Sequence, residues 1–483
     1  MSSKGFVRSY KRLEILTENQ VEAVHSGALH VLQVTGIQFE SEKALEILQR
    51  GGCPVDRETH RAKFPGGLVM NCLRQCPDSF RMRARDPRHD LVVGGDTVYF
   101  SMFSGMKTVD LDTWEPRTAT VQDNHEACKV ADALENVHQC PSYTPYCEFE
   151  GVAPAMILPT SAWSRMKYFS KTSRIGSAED SYIFEIQMAQ ALDVDIYGAM
   201  EATPPLTYTA AASDCGIACA EAGYPVEPGC GGVMGGTHPV TLAGAIVAGI
   251  AEVMAGVVLI QLVRPGNPII VNSFDIPQNM RSGSPRFGSI EISLFQAMWN
   301  QFWKSCYGIP VMNGGVGPSD SKSIDFQCGY EKAAGILLSA LSGANIINTV
   351  GGLTGELSYH PVQSILDNDI CGMIGRFLRG VQVDHDTLAV DLINAVGPIP
   401  GFYLNQAHTR QWWKKEVFLP QAADTLSYPE WLRQGKKAAL DYARAKCDEL
   451  LAGYQDTLPQ EKHQELDRIL EEARQYYRQK GLL

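Results

Sequence analysis

No stretch of this 483-residue chain reads HExxH, HxH or CxxC…CxxC, and no GxSxG elbow occurs. Helical zinc-peptidase sites, paired-thiolate zinc sites and the nucleophile turn of α/β-hydrolases are therefore missing as local motifs. Positive charge is also short: 42 Lys and Arg stand against 54 Asp and Glu, a net charge of −12. That balance argues against a nucleic-acid binder or an anionic-membrane binder. The first twenty residues, MSSKGFVRSYKRLEILTENQ, lack the apolar core of a secretory signal. The longest apolar stretch, 243–263, is interrupted by Glu252 and Gln261 and is rich in Gly and Ala. It reads as a buried helix and not a membrane span. Thirteen cysteines are scattered without regular spacing, so reduced thiols in a cytoplasmic protein are expected.

What is present is a large apolar fraction, 45%, enough for a substantial core. Residues 10–50 read as helical, with Thr17 as N-cap and Gln20 completing a capping box. Residues 51–120 carry short extended runs, and LVVGGDTVYF reads as a hairpin turning at Gly94-Gly95-Asp96. From 121 onward extended runs alternate with helical patterns. The strands are expected at 137–147, 167–175, 195–201, 224–230, 268–274, 309–313, 345–350 and 401–404. Helices are expected between them at 120–134, 181–192, 239–263, 290–307 and 329–341. About eight strand-plus-helix units predict an α/β fold closed into a (β/α)8 TIM barrel, with an open doubly wound sheet as the alternative. The expected division is an N-terminal helical and β elaboration (1–120), the barrel (121–424) and a C-terminal helical extension (425–483). The charged tail has helical periodicity and reads as a packing or subunit-contact helix pair, hence a homo-oligomer.

Barrel active sites lie at the C-terminal ends of the strands. Following each expected strand come Tyr143, Tyr146 and Glu148; Lys171, Ser173 and Arg174; Glu201; GCGGVMGGTHPVT with Met234 and His238; Asn272, Ser273 and Phe274; Asn313 and GGVGPSDSK; Asn348 and GGLTGELSYH; then Asn405, Gln406 and His408. Neither glycine-rich loop fits a phosphate-binding pattern. Their glycines, Gly232, Gly235, Gly314 and Gly315, suit tight turns or the close approach of a flat macrocycle or partner protein. The expected mouth is rich in aromatic residues: Tyr99, Phe100, Phe103, Tyr143, Tyr146, Phe274, Tyr359, Phe402 and Tyr403. Core packing accounts for most of them. A few facing a cavity would hold a quaternary ammonium, each face contributing about 0.5–2 kcal/mol.

Four segments carry a resemblance: VDLDTWEPRTATVQDNHEACKVADALENV, VTLAGAIVAGIAEVMAGVVLIQLVRPGNPII, GGVGPSDSKSIDFQCGYEKA and GFYLNQAHTRQWWKKEVFLP. Together they resemble the trimethylamine methyltransferase (MttB) superfamily over nearly the whole chain. The resemblance implies a TIM barrel that moves a methyl group from a methylamine to the cobalt of a corrinoid carried by a separate protein, with no metal of its own. Trimethylamine enzymes of that family carry pyrrolysine, which this chain lacks; the equivalent position falls within 313–330, with Gln327 as candidate. Relatives without pyrrolysine act on quaternary amines such as glycine betaine, proline betaine, carnitine or γ-butyrobetaine. Glycine-betaine relatives carry Arg and His where this chain has Met312 and Asn348, which points to a longer or differently shaped amine. Under this resemblance Tyr99, Phe103, Tyr143, Tyr146, Phe274, Met312 and Tyr359 surround the substrate. Asn313, Asn348 and His408 meet its polar end, and Glu201 and Glu356 stabilise the cation. The rival readings are a zinc-dependent corrinoid methyltransferase for an alcohol or thiol, and a non-catalytic binder of methylated amines.

Overall fold

Short apolar runs, each ending in a turn, become the staves of a closed parallel barrel. The computed structural model describes residues 5–143 and 145–483. Its barrel strands are β1 (Thr97–Met102), β2 (Gln139–Cys140), β3 (Thr172–Ile175), β4 (Ile196–Glu201), β5 (Val226–Cys230), β6 (Val271–Ser273), β7 (Val311–Asn313) and β8 (Ile346–Val350). Neighbours pair in parallel around the ring, and β8 closes onto β1 with Ile346 opposite Tyr99 and Asn348 opposite Ser101. After each strand comes a helix: α1 (Val121–Ala133), α2 (Ile157–Tyr168), α3 (Tyr182–Leu192), α4 (Ala210–Ala222), α5 (Leu242–Val263), α6 (Ile290–Cys306), α7 (Phe326–Ser342) and α8 (Pro361–Leu378). Local chemistry starts these helices. Thr120 and Asp123 form a capping box on α1, and Thr209, Thr241, Ser289 and Asp325 cap α4, α5, α6 and α7. Thr17 and Gln20 form the expected capping box on the N-terminal helix Glu18–Val34.

Helix α5 is long and apolar enough to cross a membrane, yet 78% of its apolar window is buried inside the protein. The N-terminal helices Glu18–Val34, Glu42–Arg50 and Gly66–Gln75 cover its outer face. A helix apolar all round is what this sandwiched position requires.

Two sequence expectations need correction. Leu91–Gly94 does not form a hairpin with Thr97–Met102; it pairs antiparallel with Ser79–Met82, Ser79 opposite Gly94. The run VYFSM is apolar on both faces because it is a barrel stave, buried toward the lumen and toward the helices. The barrel thus opens at Thr97, ahead of residue 121. The strand expected at 401–404 is an exposed loop, and β8 at Ile346–Val350 is the last stave. The 79–94 ribbon closes the barrel floor, where Phe80, Met82, Leu91 and Val93 pack with Tyr99, Tyr197, Ile270, Met312 and Ile346.

At the opposite end the loops are tied together by one buried cation. Lys332 Nζ, on α7, donates to the carbonyls of Gly317, Thr349 and Gly352 and pairs with Asp367 at 3.2 Å. Asp367 in turn accepts the N–H of Gly351. This knot fixes the base of a small hairpin, Gly352–Leu353 against Ser358–Tyr359, whose turn carries Glu356 over the barrel mouth.

Candidate active site

Strand alternation decides which side chains enter the lumen. On β4, Gly198 and Met200 face α4, where a Cβ on Gly198 would lie 2.5 Å from Cys219 Sγ and Met200 covers Gly216. Tyr197, Ala199 and Glu201 therefore point inward, with Glu201 at the mouth. By the same parity Asn272 and Phe274 point inward from the end of β6, and Asn348 from β8. Gly229 on β5 leaves the space these groups need: a Cβ there would sit 3.1 Å from Glu201 Cγ and 3.4 Å from Asn272 Cβ.

These residues line a cavity of about 630 Å³ at the C-terminal end of the barrel, together with Phe103, Tyr143, Arg174, Phe287, Gly231, Gly314 and Glu356. Three rings form one wall. Phe103 and Phe274 are stacked with centroids 6.1 Å apart and planes 21° apart, and Phe287 lies 6.2 Å from Phe274. Tyr143 stands at the edge with φ +58, a backbone conformation that costs a non-glycine residue energy and clusters at functional sites. Burial raises the pKa of its hydroxyl, which stays protonated.

The opposite wall is ionic. Arg174, at the end of β3, pairs with Glu201 at 2.8 Å and with Glu227 at 2.7 Å. Burial works against its charge, but the two carboxylates outweigh burial and raise its pKa. Glu227 is fully buried, and burial pushes its carboxyl up to about 8 against the pull of Arg174. Glu356 is open to the cavity yet surrounded by protein. Burial, and then the neighbouring Glu201, raise its carboxyl to about 7. The lining thus offers acids in excess of cations, beside aromatic faces.

Of the sequence candidates, the structure brings Phe103, Tyr143, Glu201, Phe274, Gly314, Asn348 and Glu356 into this cavity. The others lie elsewhere. Tyr99 and Met312 face the lumen one layer too low, in the floor cluster, and the Tyr99 hydroxyl bonds the Val92 carbonyl. Tyr146 and Tyr359 are core residues in an edge-to-face pair, their hydroxyls on Thr108 and Ser364. Asn313 points outward, joined to Gln296 and Asn300 of α6. His408 is on the exterior, bonded to the Asp386 carbonyl. Gln327 bonds Glu331 on its own helix and is not part of the lining. Gly232 is small because the His238 ring occupies its Cβ position. That buried imidazole is held between Asp275 (2.5 Å) and Glu252 (3.3 Å). Burial opposes its charge, but both carboxylates together raise its pKa to about 10. Gly235 sits in a turn at φ +94, and Gly315 backs onto Ile292 and Gln296. Arg174, Glu227, Asn272 and Phe287 were not among the candidates. Only Arg174 and Asn272 carried a signal, their position at a strand end. Among the described residues no three His, Cys, Asp or Glu side chains are grouped to hold a metal ion.

A family model described as Trimethylamine methyltransferase (MTTB) matches residues 1–476. A glycine betaine methyltransferase from Desulfitobacterium hafniense (strain Y51) is 32% identical over 456 residues, covering 92% of this chain and 93% of that protein. A trimethylamine methyltransferase MttB from Desulfitobacterium hafniense (strain DSM 10664 / DCB-2) is 30% identical over 479 residues, covering 95% and 94%. Among solved structures, the monomethylamine methyltransferase MtmB of Methanosarcina barkeri aligns with a TM-score of 0.46 at 12% identity, over 89% of this chain and 92% of that one. With the model matching nearly its full length, this barrel enzyme is a methyltransferase and belongs to the trimethylamine methyltransferase family.

Proposed function

We propose that the protein transfers a methyl group from a quaternary amine to the cobalt of a corrinoid carried by a separate protein. The observation that carries this reading is the juxtaposition of three phenyl rings with Glu201 and Glu356 in one cavity at the barrel mouth. Aromatic faces and carboxylates are what a permanently charged ammonium binds. A quaternary nitrogen has no proton to lose and leaves as a neutral tertiary amine, so no general acid is required. The reduced cobalt, when its carrier docks, supplies the electron pair that takes the methyl carbon. The chain's own work is to orient the N–CH3 bond and to strip water from the cation. In this scheme Phe103, Phe274 and Phe287 cradle the head group. Glu201 and Glu356 stabilise its charge, and Arg174 holds Glu201 in place. Gly231 and Gly314 contribute only backbone to the cavity wall, the kind of surface a flat macrocycle can approach closely.

The test follows the absorbance of a reduced corrinoid protein with purified enzyme and a panel of methylated amines. Methylation by a quaternary amine but not by trimethylamine is the expected result. Silence toward every quaternary amine, with a carrier shown to be active, rejects the proposal. Phe274→Leu keeps an apolar side chain but removes a π face. It should weaken binding of tetramethylammonium by about 0.5–2 kcal/mol. An unchanged titration would take Phe274 out of the cradle.

Among the described residues no disulfide joins the cysteines, which fits the reducing cytoplasm to which we assign the protein. We also assign it a homo-oligomeric state. The helices His385–Leu388, Val390–Val396 and Ala407–Glu416 bury none of their residues, while Val381, Ile399 and Leu404 are 77%, 95% and 82% exposed. Arg376 clasps both ends of this arm, at the Gly380 carbonyl and at Glu416. An apolar arm without a core of its own calls for a covering surface, and a second copy would supply one. Light scattering should show a multimer that loses mass per particle when residues 381–415 are deleted; a monomeric full-length chain would refute it.

A further inference from the structure

Behind the aromatic wall lies a second ionic cluster. Phe274 and Ile276 both line the cavity, and Asp275 between them turns away toward α5, where a Cβ on Gly249 would sit 3.6 Å from its Oδ2. That oxygen accepts the Ser273 hydroxyl at 2.9 Å and the Cys230 thiol at 3.1 Å. Cys230 is itself a lining residue, so one sulfur separates the carboxylate from the cavity. Burial, then Asp275, push the thiol well up, and it stays a donor. The other carboxylate oxygen, Oδ1, faces His238 Nδ1, and His238 Nε2 faces Glu252 Oε1, which also accepts the Leu206 N–H.

An imidazolium donating from both nitrogens to two carboxylates leaves the cluster with one negative charge in excess. Asp275, His238 and Glu252 are all buried. Among the described residues no Lys or Arg pairs with either carboxylate, and Glu252 Oε2 is buried without a hydrogen-bond partner. Unbalanced buried charge is costly, and little water screens it. The lining itself is closer to balance. Arg174 offsets one of its two carboxylates, and Glu227, its carboxyl raised to about 8, is mostly protonated at neutral pH. A brace for the wall would need one carboxylate against the imidazolium; the second adds charge that no neighbour uses. A quaternary ammonium has no N–H to donate, so it is drawn by a field and needs no acceptor within reach.

We infer that Asp275, His238 and Glu252 form a fixed negative charge behind the cavity wall, which draws a methylated cation into the site through space and without touching it. The inference rests on reading this cavity as the methyl-donor site.

Choline and its carbon analogue, in which a quaternary carbon replaces the nitrogen, share a shape and differ by one charge. Calorimetric titration of the full-length protein, without any corrinoid, reads both. Glu252→Gln should weaken choline about four- to fifteenfold, the scale of one charge pair roughly 10 Å apart at an effective dielectric of about 20–40, and leave the carbon analogue unchanged. Asp275→Asn removes the nearer charge and should weaken choline at least as much. Glu252→Asp keeps the charge and should keep most of the affinity. Parallel loss of both ligands would make the cluster a brace and overturn the inference, as would unchanged choline affinity or no binding of either ligand to the wild type. The first two variants break the cluster from opposite ends, so either one decides if the other does not fold. Because this is equilibrium binding, it separates from the methyl-transfer assay. Transfer from a quaternary amine without the charge effect would sink the inference and keep the proposed function, whereas the charge effect without transfer would do the reverse.

Discussion

Arg174→Ala is expected to abolish cation binding and methyl transfer and to lower stability by about 3–5 kcal/mol. The side chain is nearly buried and pairs with two carboxylates, one of them, Glu227, with no exposure at all. Deleting the guanidinium leaves that carboxyl without its counter-ion in a site whose burial already raises its pKa to about 8. Without Arg174 the Glu227 carboxyl rises further, so a group already mostly protonated at neutral pH stays so to higher pH, and Glu201 loses the contact that aims it into the cavity. Simple charge counting predicts the opposite effect on binding, since removing a cation makes the cavity more acidic. The geometry favours loss, because Glu201 acts only while held. Arg174→Lys keeps the charge but cannot reach both carboxylates with one ammonium, so it should recover most of the stability and little of the affinity. Urea unfolding and a tetramethylammonium titration on the two variants separate the roles. Intact stability with tighter cation binding in Arg174→Ala would show that the ion cluster neither positions Glu201 nor supports the fold.

The barrel was legible because eight apolar runs alternate with capped helical segments, and the periods 2 and 3.6 survive in the sequence. Its ends were not. VYFSM follows Gly94-Gly95-Asp96, the turn chemistry of a hairpin, and only the tertiary pairing of β1 with β8 reveals it as a stave. GFYL at 401–404 has strand composition without a partner. In the site, parity and depth were the hidden quantities. Met312 and Asn313 are adjacent in sequence, yet one lies in the floor and the other faces α6. A three-residue strand carries too little periodicity to choose a face. Glu201 and Phe274 were legible because each ends a strand. Phe287 lies in the loop between β6 and α6 and gave no signal. The ion cluster was invisible because a lone arginine on a strand end is usually solvated, and its two carboxylates come from two other strands.

Glu356→Gln should weaken binding of tetramethylammonium about 10–100-fold at pH 8 and flatten its pH dependence, the scale expected of one charge pair at an effective dielectric near 20. Glu201 and Cys147 face this carboxyl, and Arg174 and Tyr143 share its cavity lining. Burial first, and Glu201 second, raise its carboxyl to about 7. Between about pH 6 and pH 8 it therefore passes from largely protonated to largely ionised. Only the ionised form attracts the ammonium, so wild-type affinity should rise across this interval. A bound cation favours the carboxylate, so binding at pH 7 should release protons, measurable by titration in buffers of different ionisation enthalpy. The effect on folding has the reverse sense. A carboxyl whose folded pKa lies above its unfolded value contributes fully at acid pH, and that contribution is lost as the pH rises through about 7. Removing the titration should make Glu356→Gln more stable than wild type at pH 8, by a melting shift on the order of 1–2 °C for a chain of this size, and indistinguishable from it at pH 5. Opposite signs for binding and stability are the signature of a group held against its own solvation for the sake of a cation. A variant that loses both, or neither, would assign Glu356 to the hairpin turn alone.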